Sequence, residues 1–187
     1  MRVVAGIAGG RRLKVPQGRK LRPTSEVVRE ALFSSLESAG LIRDAKVLDL
    51  FAGTGALGIE ALSRGAVSAT FVDADSVAVR TITENLQTTG LSGGTVVQAD
   101  AIRFASSGRS YFDLALVDPP YAFDAWSSVL ACLPSTVAAL ESGREVVVGE
   151  GWETLKVRRH GDSVVTLARR LAEPVSRKFS SEVPMGK

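Results

Sequence analysis

Short apolar runs separated by longer mixed segments dominate the sequence from Lys46 onward. Five of these runs have the length of strands, and the segments between them carry the spacing of helices. The predicted strands are 47–51, 69–72, 95–98, 112–117 and 145–148, and the predicted helices are 56–64, 76–89 and 123–140. Because alternating strands and helices form β-α-β units, this pattern predicts a mostly parallel sheet with helices on both faces.

The two ends of the chain have other patterns. Residues 2–8 and 11–15 flank Gly9-Gly10 and predict a β-hairpin, and segments 154–159 and 163–169 predict an antiparallel pair that completes a seven-stranded sheet. A helix is expected to start after the capping residue Thr24 and to end at Gly40. The face that this helix is expected to bury consists of Val28, Ala31, Leu32, Ser35 and Ala39.

Composition and charge narrow the class of protein. The chain has 187 residues, 45% of them apolar, which predicts one domain over 1–187: a basic arm at 1–30, a core at 41–170 and a polar tail at 173–187. A single cysteine excludes an internal disulfide. The start of the chain lacks the pattern of a signal peptide, and no apolar run has the length of a membrane span, so a soluble, cytoplasmic protein is expected.

The charge is unevenly distributed along the chain. Residues 1–30 hold eight Lys and Arg against two Glu, whereas residues 31–149 hold seven basic and thirteen acidic residues. An acidic body with a basic leading segment favours a polyanionic partner that this segment contacts, the alternative being a merely solvated basic end.

A glycine-rich loop follows the first strand of the alternating region. Gly53-Thr54-Gly55-Ala56-Leu57-Gly58 has the spacing G-x-G-x-x-G between a predicted strand and a predicted helix, which is the context of a nucleotide-binding loop. Asp73 stands twenty residues after Gly53, at the end of the second strand, where its carboxylate can accept hydrogens from both hydroxyls of a ribose. Together they favour an adenosine-containing cofactor, either NAD or S-adenosylmethionine (SAM).

Two further carboxylates favour SAM. Asp49 precedes the loop, where a carboxylate would attract a cationic sulfonium and repel an anionic pyrophosphate. Asp100 follows the third strand and can accept hydrogens from the adenine amino group, although it can equally cap the following helix. The candidate cofactor residues are Asp49, Phe51, Gly53, Gly55, Asp73, Asp100 and Ala101.

The tetrapeptide Asp118-Pro119-Pro120-Tyr121 follows the fourth strand. Open α/β sheets bind ligands beyond the carboxyl ends of their strands, so this segment and the glycine loop are expected to border one crevice. An exocyclic amino group on a base is a poor nucleophile, because its lone pair is delocalised into the ring. The Asp118 carboxylate and the Pro119 carbonyl can each accept one amino hydrogen, the consecutive prolines stiffen the backbone, and Tyr121 can stack on the base. Residues 118–121 are therefore the candidate catalytic residues, and a rigid Pro-Pro turn is the alternative.

Three segments resemble the bacterial small-subunit (16S) ribosomal RNA guanine-N2 methyltransferases, the RsmD-like family. One is Gly6-x-x-Gly9-Gly10-Arg11-Arg12-Leu13 with Pro16. The most distinctive is Arg22-Pro23-Thr24 followed by Val28-Arg29-Glu30-Ala31-Leu32-Phe33. The third, from Asp49 to Gly65, is similar to the family's cofactor loop, and the whole match spans about residues 3–170.

This resemblance implies a Rossmann-like SAM-dependent methyltransferase fold and methylation of N2 of a guanine in small-subunit ribosomal RNA. It implies that the candidate cofactor residues hold SAM and that residues 118–121 hold the guanine amino group. It also implies that the basic segment grips RNA through Arg11, Arg12, Arg22, Thr24 and Arg29. Ribosomal proteins of an assembled or assembling subunit are implied partners, with no membrane and no metal ion.

The chain departs from the family pattern at Ser34, at His160 and in the tail after Ala172. Four other functions fit parts of the pattern. A DNA amino-methyltransferase would share the crevice, although no separate target-recognition segment is visible, and a protein glutamine methyltransferase usually carries Asn in place of Asp118. A non-catalytic RNA-binding module and an NAD-dependent oxidoreductase are the remaining alternatives, the last without a proton-relay constellation.

Overall fold

The computed structural model describes residues 1–16, 26–108 and 110–171. Its strands are β1 Lys46–Leu50, β2 Ser68–Asp73, β3 Gly94–Gln98, β4 Phe112–Val117, β5 Ser135–Ser142, β6 Trp152–His160 and β7 Ser163–Arg170. Its helices are α1 Glu26–Ser38, α2 Ala56–Ser63, α3 Ser76–Thr89, α4 Ala101–Ala105 and α5 Trp126–Cys132. None of these described helices combines the length and the apolar character that crossing a membrane requires. The expected helix start at Thr24 and the tail at 173–187 lie outside the described residues.

The described strands form one seven-stranded sheet in the order β3-β2-β1-β4-β5-β7-β6. Strands β1 to β5 are parallel, whereas β7 is antiparallel to both β5 and β6. This confirms the predicted α/β class, with a mostly parallel sheet and an antiparallel C-terminal pair. The strand order reverses between β1 and β4, and such a switch point opens a crevice beyond the carboxyl ends of the strands.

Apolar clusters cover both faces of the sheet. Successive residues of β1, Val47 and Leu48, belong to different clusters, and so do Leu116 and Val117 of β4. The first cluster packs α1 and α2 against the sheet, and the second packs α5 against the opposite face. Burial on both faces explains why these strands appear in the sequence as continuous apolar runs.

The region between residues 123 and 148 differs from the prediction. Helix α5 ends at Cys132, and residues 135–142 form β5 where the sequence predicts helix to residue 140. Pro134 explains the change, because proline cannot continue a helix and disfavours helical geometry in the preceding residue; Leu133 is extended, with φ −62° and ψ 115°. Strand β5 therefore occupies the sheet position predicted for residues 145–148, which have no regular structure.

The N-terminal segment folds back on itself as the sequence predicts, but the pairing is short: one antiparallel bridge joins Arg2 and Arg12, and no regular strands extend over 2–8 and 11–15. Hydrogen bonds between Val3 and Arg11 and between Leu13 and Met1 flank the bridge, and beyond them the next amides of the first arm are bound by α2. The N–H groups of Val4 and Ala5 donate to the buried carboxylate of Glu60 at 2.7 and 3.0 Å. This side chain attaches the segment to the body of the protein.

Helix α1 buries a face that is rotated from the expected one. Val28 and Leu32 are buried as predicted, but Phe33 and Leu36 are buried as well, whereas Ala39 is exposed and lies beyond the helix. Burying the larger Phe33 and Leu36 removes more apolar surface from water than burying alanines would.

Candidate active site

A cavity of about 720 Å³ opens beyond the carboxyl ends of β1, β2 and β4. Its volume lies within the range of small-molecule sites in proteins. The structure brings both sequence motifs to this cavity, and the candidate residues that line it are Asp49, Phe51, Gly53, Asp73, Asp100, Ala101, Asp118, Pro119, Pro120 and Tyr121. Gly55 is the one candidate cofactor residue that does not line it.

The glycine loop turns sharply between β1 and α2. Gly53 and Gly55 have positive φ angles of 56° and 76°, a conformation that glycine adopts at little cost, and the non-glycine Phe51 also has a positive φ of 64°. Gly58 allows α2 to lie close to β2, because a Cβ at this position would be 2.3 Å from the ring of Phe71. The first glycine thus borders the cavity, while the others permit the turn and the close helix packing.

The Asp73 carboxylate is held at the end of β2 by two backbone amides. Its Oδ2 accepts from the N–H of Gly53 at 2.8 Å, and its Oδ1 accepts from the N–H of Asp75 at 2.9 Å. Each carboxylate oxygen can accept more than one hydrogen bond, so acceptor capacity remains for a ligand in the cavity. The glycine loop and Asp73 therefore form one rigid unit.

Asp49 is buried at the inner end of the cavity. Its Oδ2 accepts from the N–H of Gly58 at 2.8 Å. Burial raises the pKa of Asp49 to about 8, with further upward contributions from the nearby Asp118 and Asp73 carboxylates, while the Gly58 hydrogen bond acts in the opposite direction. The lining of the cavity holds six carboxyl groups, those of Asp49, Asp73, Asp75, Asp100, Asp118 and Glu141, and it therefore suits a cationic ligand and opposes a pyrophosphate.

Asp100 combines the two roles that the sequence left open. Its Oδ1 accepts from the N–H of Arg103 at 2.9 Å, so it caps α4. It also lines the cavity together with Ala101. The cap fixes the carboxyl group at the edge of the cavity, on the opposite side of Asp73 from the glycine loop.

The segment from Asp118 to Tyr121 forms the outer wall of the cavity. Pro119 is buried, whereas Tyr121 is 59% exposed at the surface. Behind this wall lie two aromatic residues that sequence reasoning missed, Phe123 and Trp126. Phe123 stacks edge-on against Phe51 and Trp126, with ring centroids 5.1 and 5.3 Å apart. These rings form an apolar floor that links the glycine loop to the tetrapeptide.

Asn85 was also missed, because its partners are distant in sequence. Its Nδ2 donates to the carbonyl oxygens of Thr54 and Lys14 at 2.9 and 3.1 Å, and its Oδ1 accepts from the N–H of Lys14 at 2.7 Å. The fully buried amide therefore joins the glycine loop to the N-terminal segment. Val15, next to Lys14, lines the cavity, so Asn85 positions one of its walls.

The C-terminal strands supply another wall. His160 and Ser163, at the turn between β6 and β7, line the cavity together with Ser142 and Gly143 after β5. No local motif marks these residues, and the sheet order alone brings them to the site. Among the described residues, no group of three or more His, Cys, Asp and Glu side chains is arranged to hold a metal ion.

Three of the residues expected to grip RNA are described by the structure, and two of these are exposed. Arg11 and Arg12 are exposed on the N-terminal segment, and Arg11 Nη1 donates to the carbonyl oxygen of Thr89 at the end of α3. Arg22 and Thr24 lie outside the described residues.

Arg29 corrects the prediction, because it is fully buried. Its Nη2 donates to the carbonyl oxygen of Arg2 at 2.5 Å, and its Nε and Nη1 have no hydrogen-bond partner within the described residues. Burial lowers the pKa of the guanidinium, and Glu60 is the largest of the nearby carboxylates that oppose this shift. Arg29 shares the inward helix face with Phe33, so it supports the N-terminal segment from inside and cannot reach a phosphate.

Known proteins resemble this chain over most of its length. The family model described as Conserved hypothetical protein 95 matches residues 1–169. The Haemophilus influenzae protein named Ribosomal RNA small subunit methyltransferase D is 32% identical over 174 residues, with 86% of this chain and 89% of that protein covered. The protein of the same name from Escherichia coli is 41% identical over 121 residues, and this match covers 65% of the chain but only 60% of the relative.

A solved structure has the same fold. The Escherichia coli protein yhhF superposes with a TM-score of 0.80 at 33% identity, covering 92% of this chain and 99% of that one. The observed sheet is therefore the Rossmann-like fold that the sequence predicts. The chain belongs to the Conserved hypothetical protein 95 family, the RsmD family that its sequence resembles.

Proposed function

We propose that this chain transfers a methyl group from SAM to the exocyclic N2 amino group of a guanine in small-subunit (16S) ribosomal RNA. The observation that carries the proposal is the shared cavity, in which the glycine loop, Asp49 and Asp73 face the segment from Asp118 to Tyr121. The names of the family relatives support ribosomal RNA as the substrate.

The inner part of the cavity fits the cofactor. SAM, when bound, supplies a methyl group on a positively charged sulfur. Asp73, held by the amides of Gly53 and Asp75, offers acceptors for the two ribose hydroxyls. Asp100 offers an acceptor for the adenine amino group, and Asp49 places a carboxyl group where positive charge is favoured.

The outer part of the cavity fits an amino group that needs two acceptors. The Asp118 carboxylate and the Pro119 carbonyl would each accept a hydrogen bond from one amino N–H. These two hydrogen bonds would localise the lone pair on the amino nitrogen instead of in the ring. Most of the rate enhancement would then come from alignment with the methyl carbon. Tyr121 offers a face on which the base can stack, a contact worth about 1–3 kcal/mol in nucleic-acid sites. The guanine must leave its helical stack to reach this wall.

We also propose that the substrate is an assembled or assembling subunit in the cytoplasm, with ribosomal proteins present. The exposed Arg11 and Arg12 would contact RNA phosphates, and the same role is proposed for Arg22 and Thr24. A comparison of methyl transfer to protein-free 16S RNA and to purified subunits tests this part separately.

The experiment supplies labelled SAM, small subunits from a strain that lacks this protein, and duplex DNA as a competing substrate. We expect label in N2-methylguanine of the 16S RNA and none in DNA. The variant Asp118→Ala should bind SAM in calorimetry and transfer no label. Label in DNA would contradict the proposal in favour of a DNA amino-methyltransferase. Absence of both SAM binding and transfer would favour a non-catalytic RNA-binding module.

A further inference from the structure

The edge strand β6 carries a second basic surface outside the proposed site. Arg158 and Arg159 are exposed near its C-terminal end, and His160 follows them at the rim of the cavity. The two arginines are called the β6 basic edge. Among the described strands β6 pairs only with β7, so its other edge has no strand partner within the described residues.

The topology of the sheet brings this edge to the cavity. Because β7 is antiparallel to β5 and β6 is antiparallel to β7, β6 ends where the parallel strands end. His160 is paired with Ser163, and both residues line the cavity. With a rise of about 3.3 Å per residue, Arg158 lies about 7 Å farther along the strand. The basic edge therefore starts at the rim and leads away from it.

Neither arginine of this edge forms an ion pair within the described part of the protein, although Arg158 Nη1 donates to the carbonyl oxygen of the adjacent Val157 at 3.4 Å. Neither Arg158 nor Arg159 has a carboxylate oxygen within 4.0 Å there, whereas Arg169 pairs with Glu153 at 2.7 Å near the start of the strand. Arg158 and Arg159 face opposite sides of the sheet, since successive residues of a strand alternate. Two guanidinium groups thus flank the open edge, and such groups bind phosphates through several N–H donors.

Charge on an edge strand can also prevent pairing between copies of a protein. Charges with that role could lie anywhere along β6. The two arginines without an ion pair among the described residues lie at the end beside the cavity, which favours a role in binding there. Arg11 of the N-terminal segment contacts the end of α3, toward the β3 side of the sheet, whereas β6 is the opposite edge. The cavity lies between two basic surfaces, and an RNA strand on either side of a flipped-out base would meet one of them.

We propose that the β6 basic edge binds the phosphate backbone of the RNA on the side of the target nucleotide that faces away from the N-terminal segment. This inference rests on the proposed RNA substrate. It adds a second contact region that orients the strand across the cavity.

The test compares two double variants that each remove two positive charges. Arg158→Gln with Arg159→Gln changes the edge, whereas Arg43→Gln with Lys46→Gln changes exposed residues beside the start of β1, at the opposite end of the sheet. Affinity for a single-stranded RNA oligonucleotide is measured by fluorescence anisotropy over a range of salt concentrations. Two lost phosphate contacts should reduce the slope of log affinity against log salt by about 1.4 for the edge variant. The control should keep the slope of the unsubstituted protein.

Methyl transfer to small subunits gives the second measurement. The edge variant should raise KM for subunits and leave kcat and SAM affinity unchanged. An unchanged salt slope, or an equal reduction in the control, would overturn the inference while the unsubstituted enzyme still methylates RNA. A higher KM for subunits with an unchanged slope would assign the edge to a ribosomal protein and would overturn it as well. Failure of the unsubstituted protein to methylate RNA would instead refute the proposed function.

Discussion

Binding of SAM should release a proton from Asp49. Without a ligand, burial keeps the pKa of this carboxyl group at about 8, and Asp118 and Asp73 contribute in the same direction. A cationic ligand nearby favours the ionised carboxylate and lowers the pKa again. Cofactor binding and ionisation of Asp49 are therefore thermodynamically linked.

The size of the effect follows from the pKa. A group with a pKa of about 8 is about 90% protonated at pH 7, so a ligand that requires the carboxylate should release about 0.9 proton from Asp49. Over the same titration the affinity for SAM should rise about tenfold between pH 7 and pH 9, which equals about 1.4 kcal/mol. Because the folded-state pKa is raised above its ordinary value of 3.8, the free energy of unfolding without ligand should fall as pH rises from about 4 toward 8.

Calorimetry at pH 7 in two buffers with different ionisation enthalpies counts the released protons. The matched variant is Asp49→Asn, which cannot ionise but keeps an oxygen to accept from the N–H of Gly58. The amino group of SAM titrates near pH 8 as well, but its contribution is common to both proteins. The difference between them isolates Asp49. Equal proton release, or parallel affinity profiles between pH 7 and pH 9, would refute the reasoning.

Three further predictions test the structure around the cavity. Gly58→Ala should lower the free energy of unfolding in urea by about 1–3 kcal/mol, because its Cβ would lie 2.3 Å from the buried ring of Phe71. An unchanged free energy would contradict this and show that α2 can shift. Glu60→Gln should lower the free energy of unfolding by about 1–3 kcal/mol and speed proteolysis of the N-terminal segment. The reason is that one amide oxygen replaces a carboxylate that accepts from two backbone amides and Arg64; an unchanged rate of proteolysis would contradict this. Asp118→Asn should lower kcat/KM at least about 100-fold, or about 2.7 kcal/mol, and retain SAM binding; near-normal transfer would remove Asp118 from the chemistry.

Sequence reasoning succeeded where a signal was local. Helix α3 has the predicted range 76–89, because Asp75 accepts from the N–H of Val77 at its start and Gly90 ends it in the left-handed conformation. Strand β4 also has its predicted range, since an apolar run leads directly into the stiff Asp118-Pro119 segment. The glycine loop and Asp73 are recognisable for the same reason, because each lies directly at the carboxyl end of a predicted strand.

The sequence predictions are wrong or incomplete where a residue's role depends on contacts with residues distant in the sequence. The sequence predicts helix across β5, because a short apolar run does not distinguish a buried strand from a buried helix, and only Pro134 marks the boundary. The family resemblance implies an RNA contact for Arg29, although its position on the inward face of α1 buries it. Asn85 depends on partners 31 and 71 residues away, and no spacing rule identifies such a residue.

The most direct test is a crystal structure of this protein with S-adenosylhomocysteine, the product that SAM leaves behind. The account predicts ribose hydroxyls on the Asp73 carboxylate, the adenine beside Asp100, and the sulfur directed at the gap between Asp49 and Asp118. A ligand bound elsewhere, or one whose sulfur is separated from Asp118 by the protein wall, would contradict it.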